Sequence, residues 1–248
     1  MFVVTSQDAR YLSNSYLVAE KEGGAAVLID GGTPTAPIHA AVEEHGLTPT
    51  HLFVTHRHPD HIAHVREYRN RYDILIHGHS AESQACGGFD VLLEGNETFE
   101  SGELVVRALH IPGHTAGHMA FFVADEALFT GDTLFKGSVG GTLGQGHTTF
   151  EDLRHSILEV ILKLPPTTTI YPGHTVPSSV ATELEENLFV RAWRSPGELE
   201  EQSASYNGDN VMLLLRAPDY DGGTKCWIRS ASGQLDVVAG SRVTIHPK

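Results

Sequence analysis

The sequence predicts an α/β protein. Three observations carry this: apolar runs of strand length alternate with amphipathic helical segments, strands repeatedly end in glycine-containing turns, and 248 residues with 40% hydrophobic content can bury a substantial core.

Taken in order, Tyr16 to Ala19 and Ala25 to Ile29 read as the strands of a hairpin turned at Gly23-Gly24, with Asp30-Gly31-Gly32 closing the second. Pro34 and Pro37 open a helix that passes through Ala41 and Val42 and stops at Gly46, with proline at the start and glycine past the end. Leu52-Phe53-Val54 is a buried strand, Ile62 to Tyr72 a helix, and Ile74 to Ile76 another strand. Strands follow at Val105 to Ile111, Ala127 to Thr130 and Thr168 to Tyr171, running into Pro112-Gly113-His114, Gly131-Asp132 and Pro172-Gly173-His174. Phe150 to Leu164 is an amphipathic helix ended by Pro165-Pro166, and Val180 to Trp193 is another helix. After Ser195-Pro196-Gly197 comes an acidic polar connector, then strands at Val211 to Arg216, Cys226 to Arg229, Leu235 to Val238 and Val243 to His246. Gly222-Gly223, Ser232-Gly233 and Gly240-Ser241 supply the turns between them. The expected division is a main domain over residues 1–194 and a small β-rich C-terminal extension over 195–248.

The chemistry sits at the turns. Thr55-His56-Arg57-His58-Pro59-Asp60-His61 leaves a buried strand and delivers four metal-ligand side chains within seven residues. Imidazole and carboxylate suit zinc, iron or manganese, and no thiolate is involved. His56 and His58, two apart in an extended segment, point to one side. Asp60 and His61, turning into a helix, face a different point, so a single segment can serve two metals. His114, Asp132 and His174 lie at the tips of the later glycine turns. Asp132 is the only other carboxylate in this set, which makes it the natural bridge between two cations. A bridged pair holds a hydroxide at neutral pH and polarises a carbonyl or phosphoryl oxygen.

The motifs THRHPDH, PGHTAGH, TGDTLF and YPGH together resemble the metallo-β-lactamase superfamily, and within it the glyoxalase II (hydroxyacylglutathione hydrolase) branch, over residues 12 to 190. The resemblance implies a four-layer αββα sandwich with two divalent metal ions at one edge, zinc first and iron or manganese as alternatives. It implies one metal on His56, His58 and His114, a second on Asp60, His61 and His174, and Asp132 bridging. Asp60 and Asp132 are then the catalytic carboxylates, Asp60 also orienting the attacking water, and His118 matches a position beside the metals that supports the ligands without binding.

Departures from the family pattern bear on substrate. Some β-lactamase classes place Cys where Asp132 stands, which argues against antibiotic hydrolysis. GDTLFKGSVG, residues 131 to 140, follows glyoxalase II, but the Lys or Arg that next holds a glutathione carboxylate is replaced by Gly141, with Thr142 and Leu143 after it. Lys136 is a substitute cation for substrate binding, and His147, in the Gly-rich loop, is within expected reach of substrate. The longer glyoxalase II enzymes end in a helical domain whose basic residues hold glutathione; here strands are expected instead.

The function expected first is a dinuclear metal hydrolase that cleaves a thioester, or a related acyl ester or lactone, by a metal-bridging hydroxide. The alternative is an oxidoreductase resembling the mononuclear iron persulfide dioxygenases, using His56 or its neighbours with His114 and Asp132, although those relatives carry Arg where Gly141 stands. A non-catalytic scaffold would predict a broken ligand, and none is broken.

A formal charge of −14 with no Lys/Arg-rich stripe argues against a nucleic-acid groove and leaves a small-molecule substrate as the expected partner. No apolar stretch reaches membrane-span length, and Met1-Phe2-Val3-Val4 is too short for a signal peptide, so a cytoplasmic location is expected. Cys86 and Cys226 read as buried thiols, and a homo-oligomer is compatible with the sequence. His39, His45 and His51 are expected on or beside a helix facing solvent, and His77 and His79 at a strand end near the cleft.

Overall fold

The computed structural model describes residues 1–195, 197 and 200–246. Pro196 of the expected connector turn, with Glu198 and Leu199, lies outside the described residues.

Two six-stranded sheets form the centre. The first runs in order β1 (Phe2–Gln7), β2 (Asn14–Ala19), β3 (Ala25–Ile29), β4 (Thr48–Phe53), β5 (Leu75–His79) and β6 (Val91–Leu93). Its first three strands are antiparallel and the rest parallel. Parallel neighbours need crossovers, which α1 (Ala36–Glu44), α2 (Pro59–Ile62), α3 (Val65–Tyr72) and α4 (Ser80–Ser83) occupy. The second sheet contains β7 (Thr98–Ser101), β8 (Leu104–His110), β9 (Met119–Val123), β10 (Ala127–Gly131), β13 (Thr169–Pro172) and β14 (Ser178–Ser179), in spatial order β14-β13-β10-β9-β8-β7. A small hairpin of β11 (Leu134–Phe135) and β12 (Ser138–Val139) follows the C-terminal end of β10.

Alternation along each strand sorts the core into layers. Tyr16, Val18, Val27 and Ile29 meet Val106, Phe121, Val123 and Phe129 between the sheets. The alternate residues Leu17, Ala19, Ala26 and Leu28 pack under Ile38, Ala41 and Val42 of α1 and Val65 and Tyr68 of α3. On the far side, Phe122, Leu128 and Ile170 lie under Phe150 and Leu153 of α5 (Phe150–His155), Phe189 and Trp193. The result is an αββα sandwich.

The three long helices expected from the sequence each depart from a continuous α-helix. Ala63 and His64 separate α2 from α3. Asn187 separates α6 (Val180–Glu186) from α7 (Leu188–Arg194): its side chain accepts from the N–H groups of Phe189 (3.0 Å) and Val190 (3.3 Å), so the break doubles as a helix cap. The helix expected over 150–164 continues past α5 as a π turn, Ser156–Val160, and a 3-10 turn, Ile161–Lys163.

The C-terminal segment forms a third sheet of β15 (Gln202–Tyr206), β16 (Asp209–Pro218), β17 (Thr224–Ser230), β18 (Leu235–Ala239) and β19 (Val243–Ile245), in order β18-β17-β16-β15-β19. Only Gly240–Arg242 joins β18 to β19, yet these strands hold opposite ends of the order. A flat sheet would separate them by about 19 Å, more than three residues span, so the sheet curls. Its inner face encloses Ala204, Leu213, Cys226, Ile228 and Val238. Its outer face joins the main core: Trp227 stacks on Phe150 at 5.4 Å and 20°, and Phe150 meets Trp193 edge-on at 5.3 Å. Hydrophobic packing is thus continuous across position 195. Trp227→Ala should lower unfolding free energy by about 3–5 kcal/mol in denaturant titration; a cost under about 1 kcal/mol would mean the sheet is only appended.

Candidate metal centre

Every sequence-predicted ligand follows the C-terminal end of a strand, and the sandwich brings those ends to one edge. β4 feeds the 55–61 stretch, β8 feeds the 112–118 loop, β10 ends at Gly131 beside Asp132, and β13 ends at Pro172 before His174. The His174 turn is tied down from the first sheet: Tyr16 Oη donates to Pro172 O (2.6 Å), and Asn14 Nδ2 donates to Thr175 O (2.9 Å).

Two groups of donor atoms result. His56, His58, His114 and Asp132 form one, and Asp60, His61 and His174 the other, with the donor atoms of each group within 4.8 Å of one another. In the first, His58 Nδ1 lies 3.0 Å from His56 Nε2 and 3.0 Å from His114 Nε2. In the second, Asp60 Oδ2 is 3.6 Å from both His61 Nε2 and His174 Nε2. Asp132 touches both: Oδ2 is 3.6 Å from His114 Nε2 and 3.2 Å from His174 Nε2, while Oδ1 is 3.3 Å from His61 Nε2.

The outer nitrogens show why these rings turn inward. His114 Nδ1 meets Gly141 O at 2.9 Å, His58 Nε2 meets Gln145 O at 3.1 Å, and His174 Nδ1 meets Tyr11 O at 2.9 Å. A carbonyl only accepts, so each ring carries its hydrogen on the outer nitrogen. His61 Nδ1 likewise faces Asp30 Oδ2 at 2.9 Å, and His56 Nδ1 faces Thr55 Oγ1 at 3.0 Å, whose own hydrogen goes to Asp30 Oδ2 at 2.8 Å. The inner nitrogens are therefore lone pairs aimed at one another and at Asp132. His61 Nε2 and Asp132 Oδ1 are buried with no hydrogen-bond partner. Lone pairs 3.0 Å apart repel unless a cation sits among them, and this donor set fits divalent metals.

Protonation follows burial and charge. Burial holds His56 well below the usual imidazole range and pushes His114 down to about 4, so both are neutral. Burial opposes charge on Asp132, but His174 and His61 outweigh it and keep the carboxyl well below the usual carboxylate range. Burial also opposes charge on His61, where Asp132 and Asp30 prevail and raise it well above the ordinary value. Its inner lone pair is open to a proton or a metal, so metal occupancy should fall as pH drops and uptake should release protons.

The metallo-beta-lactamase superfamily model matches residues 9–174, which span both donor groups. The chain belongs to this superfamily. A hydroxyacylglutathione hydrolase from Mesorhizobium japonicum is 35% identical over 220 residues, covering 73% of this chain and 83% of that protein. A probable polyketide biosynthesis zinc-dependent hydrolase from Bacillus velezensis is 30% identical over 177 residues, covering 70% and 77%. Among solved structures, TTHA1623 in a di-iron-bound form is 31% identical with a TM-score of 0.63, covering 76% of this chain and all of that one (100%).

On this superfamily scaffold the remaining predicted residues take distinct positions. His118 is fully buried, stacks on His56 at 4.7 Å and accepts the Asp132 backbone N–H through Nε2 at 3.1 Å. Lys136 is exposed at the turn of the β11–β12 hairpin, and His147 is exposed on the loop that contributes Gly141 and Gln145. His51 lies within β4 rather than beside a helix, stacked on Phe53 at 5.6 Å, because the strand extends N-terminally of its apolar triplet. His77 is buried against Phe53 and Phe99 instead of lining the cleft.

Sequence reasoning missed four residues. Asp30 read as turn punctuation, but its carboxylate holds Thr55 N (2.7 Å), Thr55 Oγ1 and His61. The signal available was an Asp after a buried strand and before Gly31-Gly32. Asp219 and Tyr220, on the β16–β17 connection, and Lys225, in β17, reach the site from the C-terminal sheet. Tyr220 stacks on His174 at 4.5 Å and 19°.

Gly173 shows how tight the packing is: a Cβ there would fall 2.1 Å from Asp132 Oδ1 and 2.8 Å from the Gly131 carbonyl carbon. Backbone cannot yield as a side-chain tip can. Gly173→Ala should therefore displace Asp132 and cut metal content well below wild type by elemental analysis; full metal content would refute the constraint.

Proposed function

We propose that the chain is a dinuclear metal hydrolase acting on a thioester or a related small acyl ester or lactone, with zinc as the metal. The observation that carries this reading is the sharing of Asp132 between two separate groups of inward-turned donors. His56, His58 and His114 would hold one cation, Asp60, His61 and His174 the other, with Asp132 common to both. When bound, such a pair lowers the pKa of water and polarises a carbonyl oxygen.

The chain's own groups do the rest. Asp60 is the most exposed of the second group's side chains, at 19%, and is the acceptor for the proton that attacking water gives up. His118 and Gly173 fix Asp132 from its backbone and side-chain sides. Water adds to the acyl carbon, the C–S bond breaks, and an acid and a thiol are released. A thiolate, with a free-thiol pKa of about 8.5, leaves without a dedicated acid. Gly141 offers no cation; its carbonyl orients His114 instead, so an anionic carrier such as glutathione lacks the anchor expected in that branch. Lys136 and His147 are proposed contacts for the outer part of the substrate, which we take to be a small molecule met in the cytoplasm.

Zinc is supported by the His/Asp donor set and by the zinc-dependent relative from Bacillus velezensis. Iron keeps support from the di-iron-bound TTHA1623 structure. A mononuclear iron oxygenase would leave Asp60, His61 and His174 without a cation. Elemental analysis followed by a panel of thioesters, lactones and phosphodiesters tests the proposal. About two metal ions per chain with thioester or lactone turnover is expected; about one iron per chain with oxygen consumption would replace it with the dioxygenase reading.

A further inference from the structure

The C-terminal sheet reaches the centre through one hairpin, fastened at several points. Asp219 accepts from Ser138 Oγ at 2.7 Å and pairs with Lys225 Nζ at 3.1 Å. Lys225, itself buried, donates to Val139 O at 2.8 Å and lies 5.2 Å from the ring centroids of both Phe135 and Tyr220. The Tyr220 N–H closes on Asp219 Oδ1 at 2.9 Å. These contacts lock the connection between β16 and β17 onto the β11–β12 hairpin.

The locked position sets the Tyr220 ring against the metal-facing edge. One face covers His174, and Phe135 lies 4.7 Å away. Tyr220 is half-buried. Its hydroxyl makes no hydrogen bond among the described residues. Three of the larger exposed hydrophobic residues flank the same edge. Tyr11, 51% exposed, gives its carbonyl to His174. Val176, 55% exposed, follows His174 by two positions. Leu143, 40% exposed, belongs to the loop whose carbonyls hold His114 and His58. The cation that lies against the Tyr220 ring, Lys225, is committed to Asp219. An apolar rim beside a polar centre is the arrangement that seats an apolar group next to a reacting carbonyl.

We infer that Tyr220 is a specificity-determining residue: its ring, delivered by the C-terminal sheet, forms one wall for an uncharged, apolar acyl chain of the substrate. This rests on the hydrolase reading above. Each fully buried methylene strengthens binding by about fourfold, and a single wall captures part of that, so about tenfold is expected between a butyl and an octyl chain.

The test uses the metal-loaded full chain. Neutral N-acetylcysteamine thioesters from butanoyl to octanoyl report kcat/KM, and the matching non-hydrolysable 2-oxoalkyl thioethers report affinity by calorimetry. Wild type should favour the longer chain in both assays. Tyr220→Phe, which keeps the ring, should preserve that preference, and Tyr220→Ala should flatten it to within about twofold. Should Tyr220→Ala shed metal because His174 loses its cover, Tyr220→Gln keeps bulk on His174 without an apolar face and should flatten the preference in the same way. Chain-length preference absent from wild type, or retained in metal-replete Ala or Gln variants, overturns the inference. Wild type that binds the long thioethers preferentially but hydrolyses no thioester, ester or lactone would overturn the hydrolase reading while leaving the Tyr220 wall standing.

Discussion

Asp132→Ala should empty both halves of the centre together and abolish turnover, whereas His174→Ala should mainly empty the half built from Asp60, His61 and His174. The asymmetry follows from geometry, because Asp132 directs one oxygen toward His61 and the other toward His114 and His174, while His174 faces only its own group and Asp132. Removing the carboxylate also leaves the three imidazoles of His56, His58 and His114 with no negative charge to offset a cation. The loss in metal affinity should exceed the roughly 10–100-fold typical of an outer hydrogen-bond partner. Elemental analysis of both variants, with rates on the best substrate, decides the matter: a metal-replete, fully active Asp132→Ala protein would sink the shared-ligand assignment.

Asp30→Asn should weaken metal binding by about 10–100-fold without touching a metal directly. Asp30 is buried, sits at φ 59°, and accepts from Thr55 N, Thr55 Oγ1 and His61 Nδ1. Through Thr55 it also reaches His56, so a single carboxylate sets ring orientation in both donor groups. An amide of the same shape brings N–H hydrogens where only acceptors fit, which misorients His61 in particular. Competition with a chromophoric chelator measures the effect; affinity within about twofold of wild type would show that Asp30 serves only the turn.

The contrast between these residues shows what a sequence makes legible. His56, His58, Asp60 and His61 share one turn, and their spacing alone suggested two facing directions, because ligand geometry over seven residues is a local matter. His114, Asp132 and His174 were visible as ligand types at glycine turns, and the strands before them fix where those turns end up. Asp30 was not legible as an orienting group, since Asp-Gly-Gly describes a turn equally well and its partner His61 lies 31 positions away. Tyr220 is farther still from its neighbours Phe135 and His174, and contacts distant in sequence, Asp219 to Ser138 and Lys225 to Val139, bring them together. Local rules also failed at Asn187, where a side chain competing for backbone N–H groups ended a segment of good helical periodicity. Met119 to Val123 is buried throughout and so lacks the alternation that would have marked it as a strand.

The pairing of β19 with β15 has a bearing on how these molecules behave toward one another. Ala204, Ser205 and Tyr206 face Ile245, Thr244 and Val243, and His246 N donates to Ser203 O. Those contacts occupy backbone groups along β15 that would otherwise form an open edge, a template on which another chain can add a strand. The exposed edge on that side is thereby the three-residue β19 in place of the five-residue β15, and a short edge is a poorer template. Loss of Val243 to His246 would remove one buried core residue, Val243, and would lay bare the longer β15, an edge that a strand from a second copy could pair with.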